Sequence, residues 1–312
     1  MTSVLLLGFG AIGRHVARLL SPELETGALS LTALVSDRTK HKGRPNHSAE
    51  VVDLPRLIEL ADHADPGSPS SPRTFDRFDV IVECAGVPAA ARFGPAVIAA
   101  GRPLVLTSVG AMADPDTRAG LLAGPGRLHV TNGAIGGLDV LEAAAQSDGL
   151  DSVEITTSKE ASVLIRPWMS EPEAERLRVL RPEDGPLTVF EGNPAEAIVK
   201  FPANVNIAVA LAWAARGLSS AAPASSSGAR AASTDTALEH TDADLLGASL
   251  ERVRVVLQAV AGQTQSAHRI RASGSAGEFA FDIRSTPSPE NPATSGLTAL
   301  SVARTLRTVI AG

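Results

Sequence analysis

The 312-residue sequence predicts an α/β protein in two parts: a doubly wound parallel sheet, then a second α+β domain with an antiparallel sheet. Three observations predict it. Short apolar runs alternate with helical patterns through the first third of the chain. A glycine-rich turn joins the first run to the first helical pattern. Beyond about residue 150 the strand-like runs lengthen and alternate apolar with polar residues.

The first part reads in order as SVLLLGF, IGRHVARLL, LSLTALVS, LPRLIELAD, DVIVECAG, GPAVIAA and PLVLTS, a β-α-β-α-β-α-β succession with LPRLIELAD as its second helix. Parallel strands joined by crossover helices give that alternation. HADPGSPSSPRT, residues 63–74, reads as a surface loop because proline, serine and glycine punctuate it. In the second part VEITTS, LTVF, RVRVVLQAV, HRIRAS and GEFAFDIR read as strands. Phe279, Phe281 and Ile283 share one face, with Glu278, Asp282 and Arg284 on the other, as in an antiparallel sheet with one wet face. NPAEAIVKF, NVNIAVALAWAARGL and the terminal TALSVARTLRTVIA read as helices. Residues 219–233, SSAAPASSSGARAAS, have too little apolar bulk to offset the entropy of ordering and read as a flexible insertion.

Composition narrows the function. Apolar residues make up 44% and charged residues 20%, which is globular. No apolar run approaches the length that spans a bilayer. MTSVLLLGFG has no basic stretch ahead of its apolar run and reads as a strand rather than a leader. The single cysteine, Cys84, excludes an internal disulfide and fits a reducing cytoplasm. A net charge of −6 with no basic cluster argues against nucleic acid as a partner. No Cys/His/Asp cluster has metal-ligand spacing, and there is no GxSxG turn.

The glycine turn carries the first chemical signal. Gly8-Phe9-Gly10-Ala11-Ile12-Gly13 has the GxGxxG spacing between an apolar strand and an amphipathic helix. Gly8 permits the tight turn, Gly10 lets a pyrophosphate approach the backbone, and Gly13 lets helix and strand pack closely. The helix start at Ala11 and Ile12 offers N–H groups to the phosphates. Asp37 follows Gly13 by 24 positions, at the tip of the second strand. An acid there accepts the ribose hydroxyls of NAD, while the adjacent Arg38 suits the 2′-phosphate of NADP; both cofactors stay open. Ala85, after the strand DVIVE, is placed beside the same cofactor. The reading is a Rossmann dinucleotide site.

GAIG recurs at Gly133 to Gly136, in VTNGAIGGLDVL. Thr131 stands where the first turn glycine belongs, and the following strand, DSVEITTS, has no acid at its tip. A second dinucleotide site is therefore rejected. The alternatives are a plain interdomain turn or the far wall of the one cofactor site.

NGAIGGLDVL, FPANVNIAVALA and SPENPATSGLTALSVARTLR together resemble the L-aspartate dehydrogenase family, as do DVIVECAG and VLTSVGAMAD. The resemblance covers nearly all of the chain outside residues 219–233. It implies NAD(P)-dependent oxidation of L-aspartate at Cα to iminoaspartate and then oxaloacetate, a link to pyridine nucleotide synthesis, and a homodimer. It also implies that Ala134 and Asn206 touch the cofactor and that His268 is the active-site histidine. This chain departs from the family pattern in places: Ser266-Ala267 precedes the histidine where Asn-Thr is usual, VLQAVAGQ replaces an Ala-Asp-Pro turn, and KEASVLIRPW replaces a Lys-Pro-Pro stretch.

Oxidising an amino acid at Cα requires a neutral amine, so a proton acceptor is needed, and histidine is suited to that task. In SAHRIRA, His268 shares a face with Ile270 and Ala272, so composition alone favours a satisfied core histidine; the resemblance favours catalysis. His129, just before the second GAIG, is a weaker candidate. Two substrate carboxylates call for cations, and Lys159 and Arg166 flank the divergent stretch; the alternative for each is a solvated strand end. Asn204, Thr294 and Ser295 are further substrate candidates. For Thr294 and Ser295, helix capping weighs equally. The expected division is a cofactor domain of residues 1–134 with 292–312, and a catalytic domain of residues 135–291. Rival readings are a dehydrogenase or imine reductase for another small 2-amino or 2-oxo acid, and a non-catalytic NAD sensor.

Overall fold

The structure is a computed structural model that describes residues 1–36, 56–59, 72–201, 206–217, 241–288 and 291–312. Its first sheet has six parallel strands in the order β3-β2-β1-β4-β5-β6. They are β1 (Thr2–Leu7), β2 (Leu29–Val35), β3 (Arg56–Glu59), β4 (Val80–Glu83), β5 (Leu104–Leu106) and β6 (Leu128–Val130). Val4, Leu5, Leu6 and Leu7 are all buried, as expected of a central strand with helices on both faces. Each fully buried leucine contributes about 1.5–3 kcal/mol. Strand order reverses between β1 and β4, and a crevice opens at such a switch point beyond the strands' carboxyl ends.

Helix α1 (Ala11–Leu19) follows β1 and buries Gly13, Val16 and Ala17, one stripe at helical spacing. It is followed by α2 (Ser21–Glu25), α3 (Val87–Ala99), α4 (Pro115–Leu122) and α5 (Leu138–Gln146). One expectation fails here. LPRLIELAD, read as a helix, contains β3, which pairs in parallel with β2 through Thr32 to Val35. Four residues with a helix-like apolar spacing are taken by an open strand edge, where ladder hydrogen bonds outweigh local propensity.

The second sheet has the order β11-β10-β7-β9-β8. Its strands are β7 (Ser152–Glu160), β8 (Leu187–Gly192), β9 (Arg254–Val260), β10 (Ser266–Gly274) and β11 (Gly277–Ser285). Three pairings are antiparallel, and β7 pairs with β9 in parallel, so the sheet is mixed. Alternation sets its faces. Val153, Ile155, Thr157 and Lys159 of β7 are buried with His268, Ile270 and Ala272 of β10, while Arg269 and Asp282 pair at 2.7 Å on the exposed face. Arg254 bridges Glu154 and Glu191 on that same wet face. The buried face belongs to a core shared with Leu141, Ala145, Val209, Leu211 and Leu250. These come from α5, α8 (Asn206–Ala214) and α9 (Asp242–Arg252). Two further helices, α6 (Glu171–Arg178) and α7 (Pro194–Lys200), flank the same sheet.

The chain then returns to the first sheet. After β12 (Pro287–Ser288) and β13 (Asn291–Ser295), α10 (Gly296–Ala311) buries Ala299, Val302, Ala303 and Leu306 in the cluster that holds Val4, Leu6 and Val16. Arg307 fastens it by pairing with Glu23 at 2.5 Å and donating to the Leu19 carbonyl at 2.7 Å.

Candidate active site

The first glycine turn is built as the spacing requires. Gly8 has φ +93°, and a Cβ there would meet Ala85 Cβ at 2.8 Å, so the turn and the β4 tip are in direct contact. A Cβ on Gly13 would meet the Gly8 carbonyl oxygen at 2.7 Å, which fixes glycine where helix and strand pack. A Cβ on Gly10 would meet nothing within 4 Å. Gly10 is also the N-cap of α1, and no side chain caps that end. The first-turn N–H groups, at Ala11, Ile12 and Gly13, therefore point out of the helix without a capping acceptor. Next to this helix start, a cleft of about 490 Å³ is lined by Gly8, Gly10, Val35, Ser36, Ala85 and Arg92. Open space, uncapped N–H groups and a guanidinium together fit a dinucleotide pyrophosphate. Arg92 carried no signal in the sequence, because only the path of α3 brings it to the cleft. Asp37, Arg38 and Asn204 lie outside the described residues, as do residues 219–233 and the side chain of Thr294.

The tips of β4 and β5 form the next part. Glu83, the last residue of β4, is fully buried. Its Oε1 accepts hydrogen bonds from the N–H groups of Ala85 (2.8 Å) and Gly86 (2.9 Å) and from the Ser108 hydroxyl (2.9 Å). Its Oε2 accepts from the Ser108 N–H at 2.8 Å. Burial pushes this carboxyl above the ordinary carboxylate range, and the hydrogen bonds from Ser108, Ala85 and Gly86 pull against that shift. Cys84 lies just past the strand and is half-buried. Its thiol donates toward the Leu7 and Gly8 carbonyls, and burial first, then the Glu83 charge, raises it far above the ordinary thiol value. That thiol is therefore inert.

The two family-implied cofactor residues are brought together beyond these tips. Asn206, at the start of α8, accepts the Gly110 N–H on its Oδ1 at 3.0 Å. Gly133 has φ +59° and faces Ile207 of the same helix, so the turn carrying the buried Ala134 packs on α8.

The third group lies on the buried face of the second sheet. His268 pairs with Thr157 across the β10–β7 ladder. Its Nδ1 lies 3.1 Å from Thr157 Oγ1, and the residue is 3% exposed. Burial, then the positive charge of Lys159, lowers the imidazole to about 4. Lys159, two residues along from Thr157 on the same face, is 9% exposed. Burial, then Arg166, lowers its ammonium to about 8. The solvated-lysine alternative therefore does not hold. Arg166 is half-buried, donates to the Ile165 carbonyl at 2.9 Å and sits 5.7 Å from the Phe201 ring. Ser295 is not in this group. Its hydroxyl oxygen accepts the Leu297 N–H at 3.1 Å, so it caps α10. His129 lies on β6, where burial and then Arg127 lower its imidazole.

Comparison with known proteins agrees with this geometry. Residues 139–222 and 240–309 match the family model described as aspartate dehydrogenase, C-terminal. Residues 8–126 match that of the homoserine dehydrogenase NAD-binding domain. The L-aspartate dehydrogenase of Cupriavidus taiwanensis is 30% identical over 310 residues, covering 98% of this chain and 97% of that protein. The L-aspartate dehydrogenase of Ruegeria pomeroyi is 34% identical over 235 residues, 74% of this chain and 72% of its own length. In fold, the chain superposes on aspartate dehydrogenase from Thermotoga maritima with a TM-score of 0.60 at 24% identity, covering 99% and 96% of the two chains. A hyperthermophilic archaeal homoserine dehydrogenase in complex with NADPH gives 0.51 at 10% identity, covering 99% and 97%. The chain belongs to the L-aspartate dehydrogenase family.

Proposed function

We propose that this protein is an enzyme that oxidises L-aspartate at Cα with NAD or NADP, and that Lys159, Thr157 and His268 form its substrate site. The observation that carries the reading is a cation and an imidazole held side by side on the buried face of a sheet, in a chain that also builds a dinucleotide cleft. When bound, the nicotinamide supplies the two-electron acceptor. Gly8, Gly10, Ala11, Ile12, Gly13 and Ala85 would hold the pyrophosphate side, and Ala134 and Asn206 the nicotinamide side.

The protein's own residues handle the protons. With Nδ1–H donated to Thr157, His268 presents the Nε2 lone pair to the substrate amine. At about 4 the imidazole is neutral at physiological pH but a weak base. A substrate carboxylate beside Lys159 offsets the positive charge that helps hold His268 down, so binding raises its basicity. Lys159 pairs with one carboxylate, and Arg166 supplies the second cation.

Residues 1–134 with 292–312 are our cofactor domain and residues 135–291 our catalytic domain. Support comes from α10, which packs in the cluster of β1 and α1. Exposed Trp168, Val179 and Val199, at 50%, 58% and 80%, support a homodimer. The single thiol supports a cytoplasmic setting. A panel of amino acids assayed for NADH appearance tests the substrate. L-aspartate should exceed L-asparagine and L-alanine by up to ~10⁴ in kcat/KM, because a neutral analogue brings only one carboxylate to a site with two cations, Lys159 and Arg166. Equal turnover of alanine would overturn the assignment.

A further inference from the structure

Glu83 is the one fully buried carboxylate among the described residues, and the chemistry above does not use it. Its setting is unusual in one respect. All four of its hydrogen bonds are accepted, three from backbone N–H groups and one from a hydroxyl. A protonated carboxyl would set its O–H against a backbone N–H or require the Ser108 hydroxyl to turn round and accept, so the arrangement as it stands serves the ionised form. None of the four partners is charged. A buried charge without a counter-ion is expensive, and its field is poorly screened.

Its place in the fold says what the field acts on. The Rossmann sheet consists of two mononucleotide-binding halves, and β4 opens the half that takes the nicotinamide. Glu83 ends β4, directly before Cys84 and Ala85, which line the dinucleotide cleft. Through Ser108 it also holds the start of the turn after β5, whose Gly110 is tied to Asn206. The carboxylate thus lies under the floor between the two strand tips. A nicotinamide ring is cationic when oxidised and neutral when reduced.

We propose that Glu83 is a fixed negative charge beneath the nicotinamide half of the cofactor seat, and that it makes the site favour oxidised over reduced dinucleotide. The inference rests on the reading of the Gly8–Gly13 turn as the NAD(P) site. Glu83 acts here as a positioning and electrostatic residue, not as a proton carrier.

Glu83→Gln keeps the shape and removes the charge. Dissociation constants for NAD⁺ and NADH, measured by fluorescence titration alongside thermal melting, test the idea. Affinity for NAD⁺ should fall more than affinity for NADH, raising the ratio of their Kd values ~10-fold, which is about 30 mV in the two-electron potential of the bound cofactor. Ser108→Ala keeps the charge and removes one donor; its ratio should stay within about twofold of wild type. Equal shifts of both Kd values in Glu83→Gln would reduce Glu83 to a structural clamp and overturn the proposal. So would a Ser108→Ala ratio that moves as far as that of Glu83→Gln. Should Glu83→Gln fail to fold, infrared spectroscopy of the wild type decides. At neutral pH no protonated-carboxyl C=O band should appear, and such a band would overturn the charge. A wild type that binds neither dinucleotide would instead overturn the cofactor reading.

Discussion

The tetrapeptide Gly-Ala-Ile-Gly occurs twice in this chain, in two conformations. At Gly10 to Gly13, Ala11 is already the first residue of α1, and the residues after Gly10 form its first turn. At Gly133 to Gly136, the helix has not begun; α5 starts at Leu138 with Gly137 as its N-cap. The Ile135 N–H is turned back onto the Asn132 carbonyl at 3.2 Å instead of outward. Gly137, at φ +77°, lies where a Cβ would meet the Phe281 ring at 2.5 Å. The first copy leaves its donors for a ligand, and the second joins the two sheets. Whether these four residues open a helix with outward donors or precede one in a packed turn depends on where the helix begins relative to them, which the glycine spacing alone does not encode.

Substitutions can break or sharpen that contrast. The largest effect belongs to the chemistry on the far sheet. His268→Asn should lower kcat by ~10²–10⁴, the usual worth of a proton acceptor, while cofactor Kd stays within about twofold. Near-normal turnover in a folded variant would remove His268 from the mechanism. Next, Gly10→Val places a branched side chain in the open space before α1 and should raise the Kd for NAD by ~100-fold, about 2.7 kcal/mol. Its melting temperature should hold, because nothing lies within 4 Å of that Cβ. Undiminished binding would place the cofactor elsewhere. Gly137→Ala should do the opposite, costing about 2–4 kcal/mol of stability through backbone strain and the clash with Phe281. Urea denaturation measures it, and an unchanged midpoint would dissolve the contrast.

A smaller effect is expected from pH. In the native state His268 titrates at about 4, below its ordinary 6.5. Between those values the unfolded chain binds a proton that the native state does not, so stability is lost as pH falls through that window. The loss attributable to His268 at about pH 5 is about 2 kcal/mol. Denaturation midpoints at about pH 7 and pH 5 should therefore differ less in His268→Asn than in wild type; equal differences would contradict the burial of a neutral imidazole. Smallest of all, deleting residues 219–233 should change stability by less than ~1 kcal/mol, since loop closure depends weakly on length. A large fall in melting temperature would show that the segment packs.

Much of this architecture was legible in the sequence because two periodicities carry it. The alternation of His268, Ile270 and Ala272 against Arg269 and Arg271 placed the histidine on the buried face. The direction of β9 was not legible, since alternation gives a strand its faces but not its neighbours. RLIE misled because four residues are too few to separate a period of 2 from one of 3.6. At the site, the glycine turn was readable as a local motif. The pairing of Thr157 with His268, which are 111 positions apart, was not. Glu83 did leave a trace: a carboxylate closing the apolar run VIVE must find donors or be expelled from the interior.

The return of α10 to the first sheet has a consequence for biosynthesis. Chains fold as they leave the ribosome, from the amino end. The second sheet, complete by Ser285, has all its strands in hand while the cluster around Val4 and Val16 still lacks Val302, Ala303 and Leu306. The half of the protein that is made first is therefore the half that finishes last, and a chain cut before α10 has a nucleotide-binding half with an open flank.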